Sequence, residues 1–504
     1  MNDRIVSPGG IDRRAFVRTV SQAGLAAAIA PSLFAAAAPA PAATASSTTP
    51  RKRYAIVGTG SRHAMYRTAL TQTYREHAEL VALCDLNPGR LELSRGVAAQ
   101  NGSTVPGYAP TDFERMIRET RAQTIIVTTM DSTHDDYIVR AMEAGCDVIT
   151  EKPMTTDGAK CQRILDTQKR TGRNIRVTFN YRYSPPRTQV KDLLMSGVIG
   201  DILSADFQWL LNTQHGADYF RRWHSQKRFS GGLMVHKATH HFDLMNWWLG
   251  AMPVEVHATG KREFYTSTMA KRLGLDSSHQ RCQTCTETAK CTFYLNLASG
   301  GNKSLYLDQE KHDGYFRDQC VFRPEIDIED TMNVMVKYDT SATMSYSLNA
   351  FNAWEGYNVA FNGTKGRLEH SLVEQLSPSG ADFNQAGLTA GAHTRIIPMR
   401  GAANELKVWT GEGSHGGGDA LMLDEIFLPN RTPDKYLRSS DHRGGAASIL
   451  TGIAANRCFA TGQPVKVADL VTGLQRPDYA PMPTRNEAVP MPRAPAPATV
   501  PAKS

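Results

Sequence analysis

The sequence predicts an α/β chain in which an N-terminal doubly wound parallel sheet of the Rossmann type precedes a C-terminal α+β domain with an open, largely antiparallel sheet. Three observations predict it. From Arg53 to Phe179, short β-branched apolar runs alternate with helix-length amphipathic stretches, the pattern of successive βαβ units. Beyond about Asn180 the strand-like runs lengthen and follow one another more closely, as an antiparallel sheet requires. A length of 504 residues with 41% hydrophobic content suffices for two sizeable cores.

The first domain takes strands at 54–57, 80–84, 124–128, 148–150 and 175–179. Helices at 134–144 and 156–171 stop at Gly145 and Gly172, since glycine just past a periodic stretch ends a helix. Strands at 202–211, 254–262, 331–338, 343–348 and 357–361 build the second sheet, whose open face is available for self-association into a homo-oligomer. The resulting division is 1–50 leader and linker, 51–178 Rossmann domain, 179–476 substrate domain and 477–504 a Pro/Ala-rich tail that is disordered or hugs the surface. No fixed-period repeat is present.

The leader carries Arg13-Arg14-Ala15-Phe16-Val17-Arg18 ahead of an uncharged, alanine-rich run from Ala23 to about Ala38. This reads as a twin-arginine export signal, recognised by the twin-arginine machinery and cleaved between Ala38 and Ala43, which places the mature chain in the periplasm or otherwise outside the cytoplasm. The run is shorter than the roughly 20 residues a membrane span needs, so no stable span is expected. The net charge of +8 includes several leader arginines and forms no long basic run, so it describes a solvated surface and no nucleic-acid partner.

Directly after the first strand comes Gly58-Thr59-Gly60-Ser61-Arg62-His63. Glycines at a strand-to-helix turn let the backbone approach a pyrophosphate at a helix N-terminus, although His63 stands where the third glycine of the fingerprint belongs. Asp85 closes the second strand, where an acid binds ribose hydroxyls and repels a 2′-phosphate. This favours NAD, while nearby Arg90 keeps NADP open; a loop-capping role is the alternative for Asp85.

Further along stand Glu151-Lys152-Pro153, His134, Asn180-Tyr181-Arg182, Gly197-x-x-Gly200, Gly231-Gly232 and His236-x-x-x-His240-x-x-Asp243. In this order they resemble the glucose-fructose oxidoreductase, inositol dehydrogenase and MocA family, Gfo/Idh/MocA, over about 54–249. The resemblance implies hydride transfer between a nicotinamide and a sugar carbon, with Lys152 and His240 catalytic: Lys152 binds the reacting hydroxyl and His240 handles its proton. It further implies cofactor contacts from Gly58, Gly60, Ser61, Arg62, Asp85, Thr129, His134, Glu151 and Lys152, and substrate contacts from Tyr181, Arg182, His236 and Asp243. The chemistry agrees: imidazole is a base near neutral pH, and an ammonium stabilises developing alkoxide charge. Many family members carry Asp four residues before the catalytic His; this chain has His236 there, followed by Lys237. Ser414-His415-Gly416-Gly417-Gly418-Asp419 resembles a glycine-rich loop of some exported members and offers His415 as a substrate contact. Trp209, Tyr219 and Trp223 are candidates for stacking on a sugar, or for core packing.

Of eight cysteines, Cys84, Cys146, Cys161 and Cys458 sit in strand or helix patterns as buried small hydrophobes. Cys282, Cys285, Cys291 and Cys320 form a looser group, open to a tetrahedral structural zinc, to disulfides in an oxidising compartment, or to free thiols. Taken together, the sequence points to an exported oxidoreductase that moves a hydride between tightly bound NAD(P) and a sugar, glycoside or polyol hydroxyl. An NAD-dependent glycosidase with no net redox change is the alternative, and a non-enzymatic sugar-binding protein a third reading.

Overall fold

Strands buried along both faces need cover on both sides, and the first half of the chain supplies it. The structure, a computed structural model, describes residues 50–276, 279–298, 300–375, 392–412 and 414–491, so the arginine-containing leader and the end of the tail lie outside the described residues. Strands β1 (Lys52–Val57), β2 (Ala78–Cys84), β3 (Gly107–Tyr108), β4 (Thr124–Val127), β5 (Asp147–Glu151) and β6 (Ile175–Thr178) form a wholly parallel sheet in the order β3-β2-β1-β4-β5-β6. Helices α1 (His63–Thr68), α2 (Pro88–Gln100), α3 (Phe113–Thr120), α4 (His134–Glu143) and α5 (Gly158–Thr171) connect them. Asn87 and Asp157 cap α2 and α5, and Gly172 ends α5 in the left-handed region at φ 64°. Strand order reverses between β1 and β4, which opens a crevice at their carboxyl ends.

The second half begins with α6 (Pro185–Met195), β7 (Ile202–Asn212), α7 (Thr213–Arg221) and α8 (Thr239–Leu249). The strands β8 (Pro253–Lys261), β9 (Thr331–Tyr338), β10 (Thr343–Asn352), β11 (Glu355–Gly363), β12 (Gly366–Gln375), β13 (Ala392–Pro398) and β14 (Asn404–Leu406) follow. Then come α9 (Gly418–Phe427), α10 (His442–Thr461) and β15 (Val465–Lys466). The nine strands run β14-β13-β12-β11-β7-β10-β9-β8-β15; β7 and β10 pair in parallel and the other described pairs are antiparallel. Burial alternates along β9, with Met332, Val334, Val336 and Tyr338 inward, so one face meets the helices and the other faces solvent. No described helix is long and apolar enough to cross a membrane. The described part of the tail, 477–491, hugs the surface: Asp478 pairs with Arg443, and Met482 stands 3.1 Å from the Lys191 ammonium.

Helix α8 is buried on every side, so its polar side chains need internal partners. His241 Nδ1 meets the Tyr346 hydroxyl at 2.6 Å. Asp243 accepts two hydrogen bonds from Arg182, at 2.7 and 2.6 Å, and the pair is all but sealed from solvent. This corrects the expectation that Arg182 and Asp243 contact substrate: they are spent on each other, pinning the segment after β6 to α8. Burial raises the Asp243 carboxyl to about 6 against the pull of Arg182. Asp243→Ala, which strands the buried guanidinium, is expected to lower unfolding free energy by about 3–5 kcal/mol, measured by urea denaturation. A paired Arg182→Met, Asp243→Leu change should recover much of that loss.

Candidate active site

The glycine loop between β1 and α1 closes against the end of β4. Gly58 has φ 90°, and a Cβ there would lie 2.7 Å from the Thr128 carbonyl and the Thr129 nitrogen, so only glycine fits. Around Gly60 the space is open except for the Tyr306 hydroxyl, 3.9 Å from where a Cβ would stand. The absence of a third glycine has a local explanation. His63 fills the gap between α1 and α2, its Nδ1 on the Gly60 carbonyl and its Nε2 2.7 Å from Ser94 Oγ. Burial lowers this imidazole to about 4, so it is a neutral packing element.

Asp85 lies at the carboxyl end of β2, as expected of a ribose-binding acid. Its Oδ2 accepts from the Thr59 N–H and hydroxyl at 2.5 and 2.8 Å, and its Oδ1 from the Asn87 N–H at 2.6 Å. The carboxylate thus caps the loop as well as facing the groove, and its remaining lone pairs are available to a ligand. Arg90 pairs with Asp313 and stands 4.0 Å from Asp85. Open space at Gly60, amides at the start of α1 and an acid beside them suit a dinucleotide.

The residues after β5 organise the crevice floor. Glu151 accepts from Arg62 Nε at 2.8 Å and from the Tyr66 hydroxyl at 2.7 Å, which fixes the loop-to-α1 turn. His134 bridges two loops, with Nδ1 2.8 Å from the Pro153 carbonyl and Nε2 3.2 Å from that of Thr129. Glu151 and His134 therefore shape the cofactor groove by holding its walls. Lys152 is half-buried and donates to the His236 carbonyl at 2.9 Å. Burial lowers its ammonium to about 8, with Lys237 and Arg62 acting in the same direction and Asp131 and Glu151 opposing them.

Above Lys152 the second domain supplies aromatic and cationic groups. Tyr181 stacks on His240 at 4.1 Å between ring centres, lies under the Arg187 guanidinium at 4.2 Å and accepts a bond from Lys237 Nζ at 3.2 Å. Burial and the charges of Lys152, Lys237 and His415 lower the His240 imidazole well below its usual value, and its Nδ1 is buried without a partner. His236 Nδ1 meets the Asp131 carboxylate at 2.5 Å, while Tyr219, Trp223 and His224 face its ring edge at 5.4, 5.8 and 4.2 Å. Trp209 is core, sealed between His241 and Tyr357; Trp223 stays half-buried at the lip.

His415 lies on the rim at φ 54°, its ring 5.8 Å from Tyr181 and its Nδ1 2.8 Å from Asp419 Oδ2. Asp419 also accepts from Asn180 Nδ2 at 2.6 Å and pairs with Arg62 at 3.5 Å, tying this loop to the cofactor loop. Burial alone would raise Asp419, but His415, Arg62 and Asn180 hold it down at about 2.

Two features escaped the sequence reading. Asp131 is one; the other is the segment 262–330 between β8 and β9, which reaches back over the Rossmann groove as a strap. Tyr306 accepts from the Ser61 N–H at 3.1 Å, the Gln309 carbonyl accepts from Asn87 Nδ2 at 3.0 Å, and Asp313 holds Arg90. A Cβ on Gly89 would strike Gln309 at 1.7 Å, so glycine there lets the strap pass. Arg281 secures the strap's base, paired with Glu310 at 2.6 Å and Asp318 at 2.7 Å. Cys282, Cys285, Cys291 and Cys320 belong to this segment. All eight cysteines are free, and among the described residues no three His, Cys, Asp or Glu side chains are arranged to hold a metal ion, so the structure forms neither the zinc site nor the disulfides left open above.

A Rossmann groove facing a sheet domain that closes over it defines a dinucleotide-dependent oxidoreductase. Residues 52–179 match the family model "Oxidoreductase family, NAD-binding Rossmann fold", and 191–467 match "Oxidoreductase family, C-terminal alpha/beta domain". The Bacillus subtilis protein YteT is 35% identical over 428 residues, covering 83% of this chain and 98% of that protein. The Lactiplantibacillus plantarum inositol 2-dehydrogenase/D-chiro-inositol 3-dehydrogenase is 26% identical over 38% of this chain and 51% of its own length. Among solved structures, the aldose-aldose oxidoreductase of Caulobacter crescentus, complexed with glycerol, shares the fold at TM-score 0.53 and 18% identity, covering 83% of this chain and all of that one. An Agrobacterium radiobacter oxidoreductase in complex with NAD+ and L-tartaric acid does so at 0.55 and 15%, covering 84% of this chain and all of that one. The chain belongs to the Gfo/Idh/MocA oxidoreductase family and carries its NAD-binding domain.

The Asp419 hub gives a pH test. A carboxyl depressed from an unfolded value near 3.9 to about 2 adds stability above the higher value and loses it as pH falls through the lower. Asp419→Asn is expected to cost about 2 kcal/mol at pH 7. In denaturant titrations the gap to the parent chain should narrow from about pH 4 towards pH 2.

Proposed function

We propose that this chain is an exported oxidoreductase that uses a retained NAD to oxidise or reduce a CH–OH group of a sugar or cyclic polyol. The observation that carries this reading is the half-buried Lys152 ammonium, lowered to about 8 by desolvation, at the junction of the Rossmann crevice with a wall of Tyr181, His240, His236, Tyr219 and Trp223. Aromatic faces and hydrogen-bonding groups around one cation suit a hydroxyl-rich ring. The naming of relatives as inositol and aldose oxidoreductases supports that substrate class.

A dinucleotide held along Gly58, Gly60 and Asp85 would supply or take the hydride. The chain does the rest. Lys152, lowered to about 8 by burial, donates to the reacting hydroxyl and stabilises the alkoxide charge that grows as its proton leaves. The hydride departs from carbon and the proton from oxygen, so oxidation also needs a base, and an imidazole of the wall takes that part. Asp85 beside Arg90, itself neutralised by Asp313, makes the ribose end acidic and favours NAD over NADP. Export is read from the Arg13-Arg14 leader. Outside the cytoplasm no free NAD pool replenishes a lost cofactor, and the strap across Ser61, Asn87 and Arg90 provides retention.

The test is to purify the full chain, release and quantify its dinucleotide, and follow nicotinamide absorbance as inositols, aldoses and glycosides are added to intact protein. Stoichiometric NAD that a polyol reduces and a keto-sugar reoxidises supports the proposal. Aglycone release without lasting reduction would replace it with the glycosidase, and absence of both cofactor and response would sink it. Lys152→Met is expected to slow reduction by about 10²–10³-fold with cofactor content unchanged. Asp313→Ala, which unties the strap from Arg90, is expected to speed loss of NAD during gel filtration at least several-fold.

A further inference from the structure

We propose that His236, oriented by Asp131, is the base that takes the substrate hydroxyl proton, with Asp131 acting as a positioning residue. The inference rests on the oxidoreductase reading above and deepens it.

Two imidazoles are near Lys152, and their surroundings differ. His240 lies flat on Tyr181, with its Nδ1 buried and unpartnered and with Lys152, Lys237 and His415 as its charged neighbours. Nothing there favours an imidazolium. His236 has cations around it too, Lys152, Arg222 and Lys237 among them, and burial likewise lowers it. The difference is the Asp131 carboxylate, 2.5 Å from Nδ1 and almost wholly buried. A carboxylate receiving the Nδ1–H fixes the tautomer, leaves the Nε2 lone pair as the basic site, and stabilises the imidazolium formed when a proton arrives.

Placement and charge agree. Asp131 lies four residues past β4, outside the carboxyl end of a strand at the topological switch point, where a Rossmann crevice binds its ligands. The His236 carbonyl receives the Lys152 ammonium, so one residue anchors the group that stabilises the alkoxide and carries the ring that takes its proton. The side chain keeps 10% of its surface exposed, beside Tyr219 and half-buried Trp223. Burial raises the Asp131 carboxyl well above its usual range against the pull of Lys152 and Arg222; in the reacting state Asp131 is the carboxylate and His236 the neutral imidazole, one negative charge opposite the Lys152 ammonium. Oxidation moves the hydroxyl proton to Nε2 and the carbon hydride to the nicotinamide, so the protein portion gains one positive charge that Asp131 directly offsets.

The groups facing the pair are Glu151 at the end of β5 and Lys152 just past it, Arg222 after α7, His224, Lys237 and His134. These remain in every variant below, so a shift in pH profile reports on the pair.

The experiment measures kcat and KM against pH for the full chain with whichever aldose or inositol probe reduces its cofactor. Asp131→Asn is expected to lower kcat by about 10²–10⁴-fold with KM changed only a few-fold, and to move the acid limb to lower pH, because a base without its carboxylate protonates later. Asp131→Glu should restore part of the rate. His236→Ala should lose a similar factor, and free imidazole should rescue it, which a purely structural role would not allow. Cofactor content and thermal melting check that each variant is folded. Retention of kcat within about threefold in folded Asp131→Asn and His236→Ala, with loss confined to His240→Gln, overturns the assignment but leaves the oxidoreductase reading intact. Failure of the unaltered chain to reduce its cofactor with any probe overturns both.

Discussion

Desolvation of the half-buried Lys152 ammonium is the constraint to which the rest of the site answers. A cation removed from water pays a desolvation cost that must be offset by acceptors and anions around it. Here the offsets come from both domains: the His236 carbonyl from the turn before α8, Asp131 from the loop after β4 and Glu151 from the end of β5. Each is itself held. Glu151 is shared with Arg62 and Tyr66, and Arg62 reaches Asp419, which carries His415 and Asn180. The glycine loop, Lys152 and the rim loop are therefore one electrostatic assembly.

The rigid base under this assembly comes from α8. In a helix buried on all sides every unmatched polar group is costly, and Arg182 with Asp243 and Tyr346 with His241 match two of them. That arrangement presents His240 towards Tyr181 and leaves the turn Leu233–His236 to enter the crevice. Crevice-facing and structural residues thus alternate within a few positions of the same segment.

This alternation explains what the sequence could and could not reveal. Strand positions were legible because apolar runs and glycine stops are local: β9 at 331–338 coincides with the observed strand, and β7 at 202–211 misses one residue. Motif spacing singled out Lys152, Tyr181 and His240, which the fold brings together. Arg182 and Asp243 shared that spacing, but their mutual pairing depends on two segments meeting in space, which spacing does not report. Asp131 gave no motif at all; its only signal was its place just past a strand that ends in the crevice. The strap was invisible for the same reason, since an irregular insertion has no periodicity, and its cysteine spacing drew attention to metal or disulfide chemistry instead of to Tyr306 and Asp313.

The strap also separates affinity from speed. Tyr306 is 245 residues downstream of the Ser61 amide it meets, so the groove is complete in the growing chain long before its cover is made. A cover that must lift for the dinucleotide to pass raises the barrier for entry and exit alike, and deepens the bound state only as far as it touches the ligand itself. Slow loss is then inseparable from slow loading in the finished protein. On the retention proposed above, occupancy would be set early, by how much dinucleotide surrounds the chain while the strap is still being synthesised or folded, and later conditions would revise it only on the timescale of strap opening.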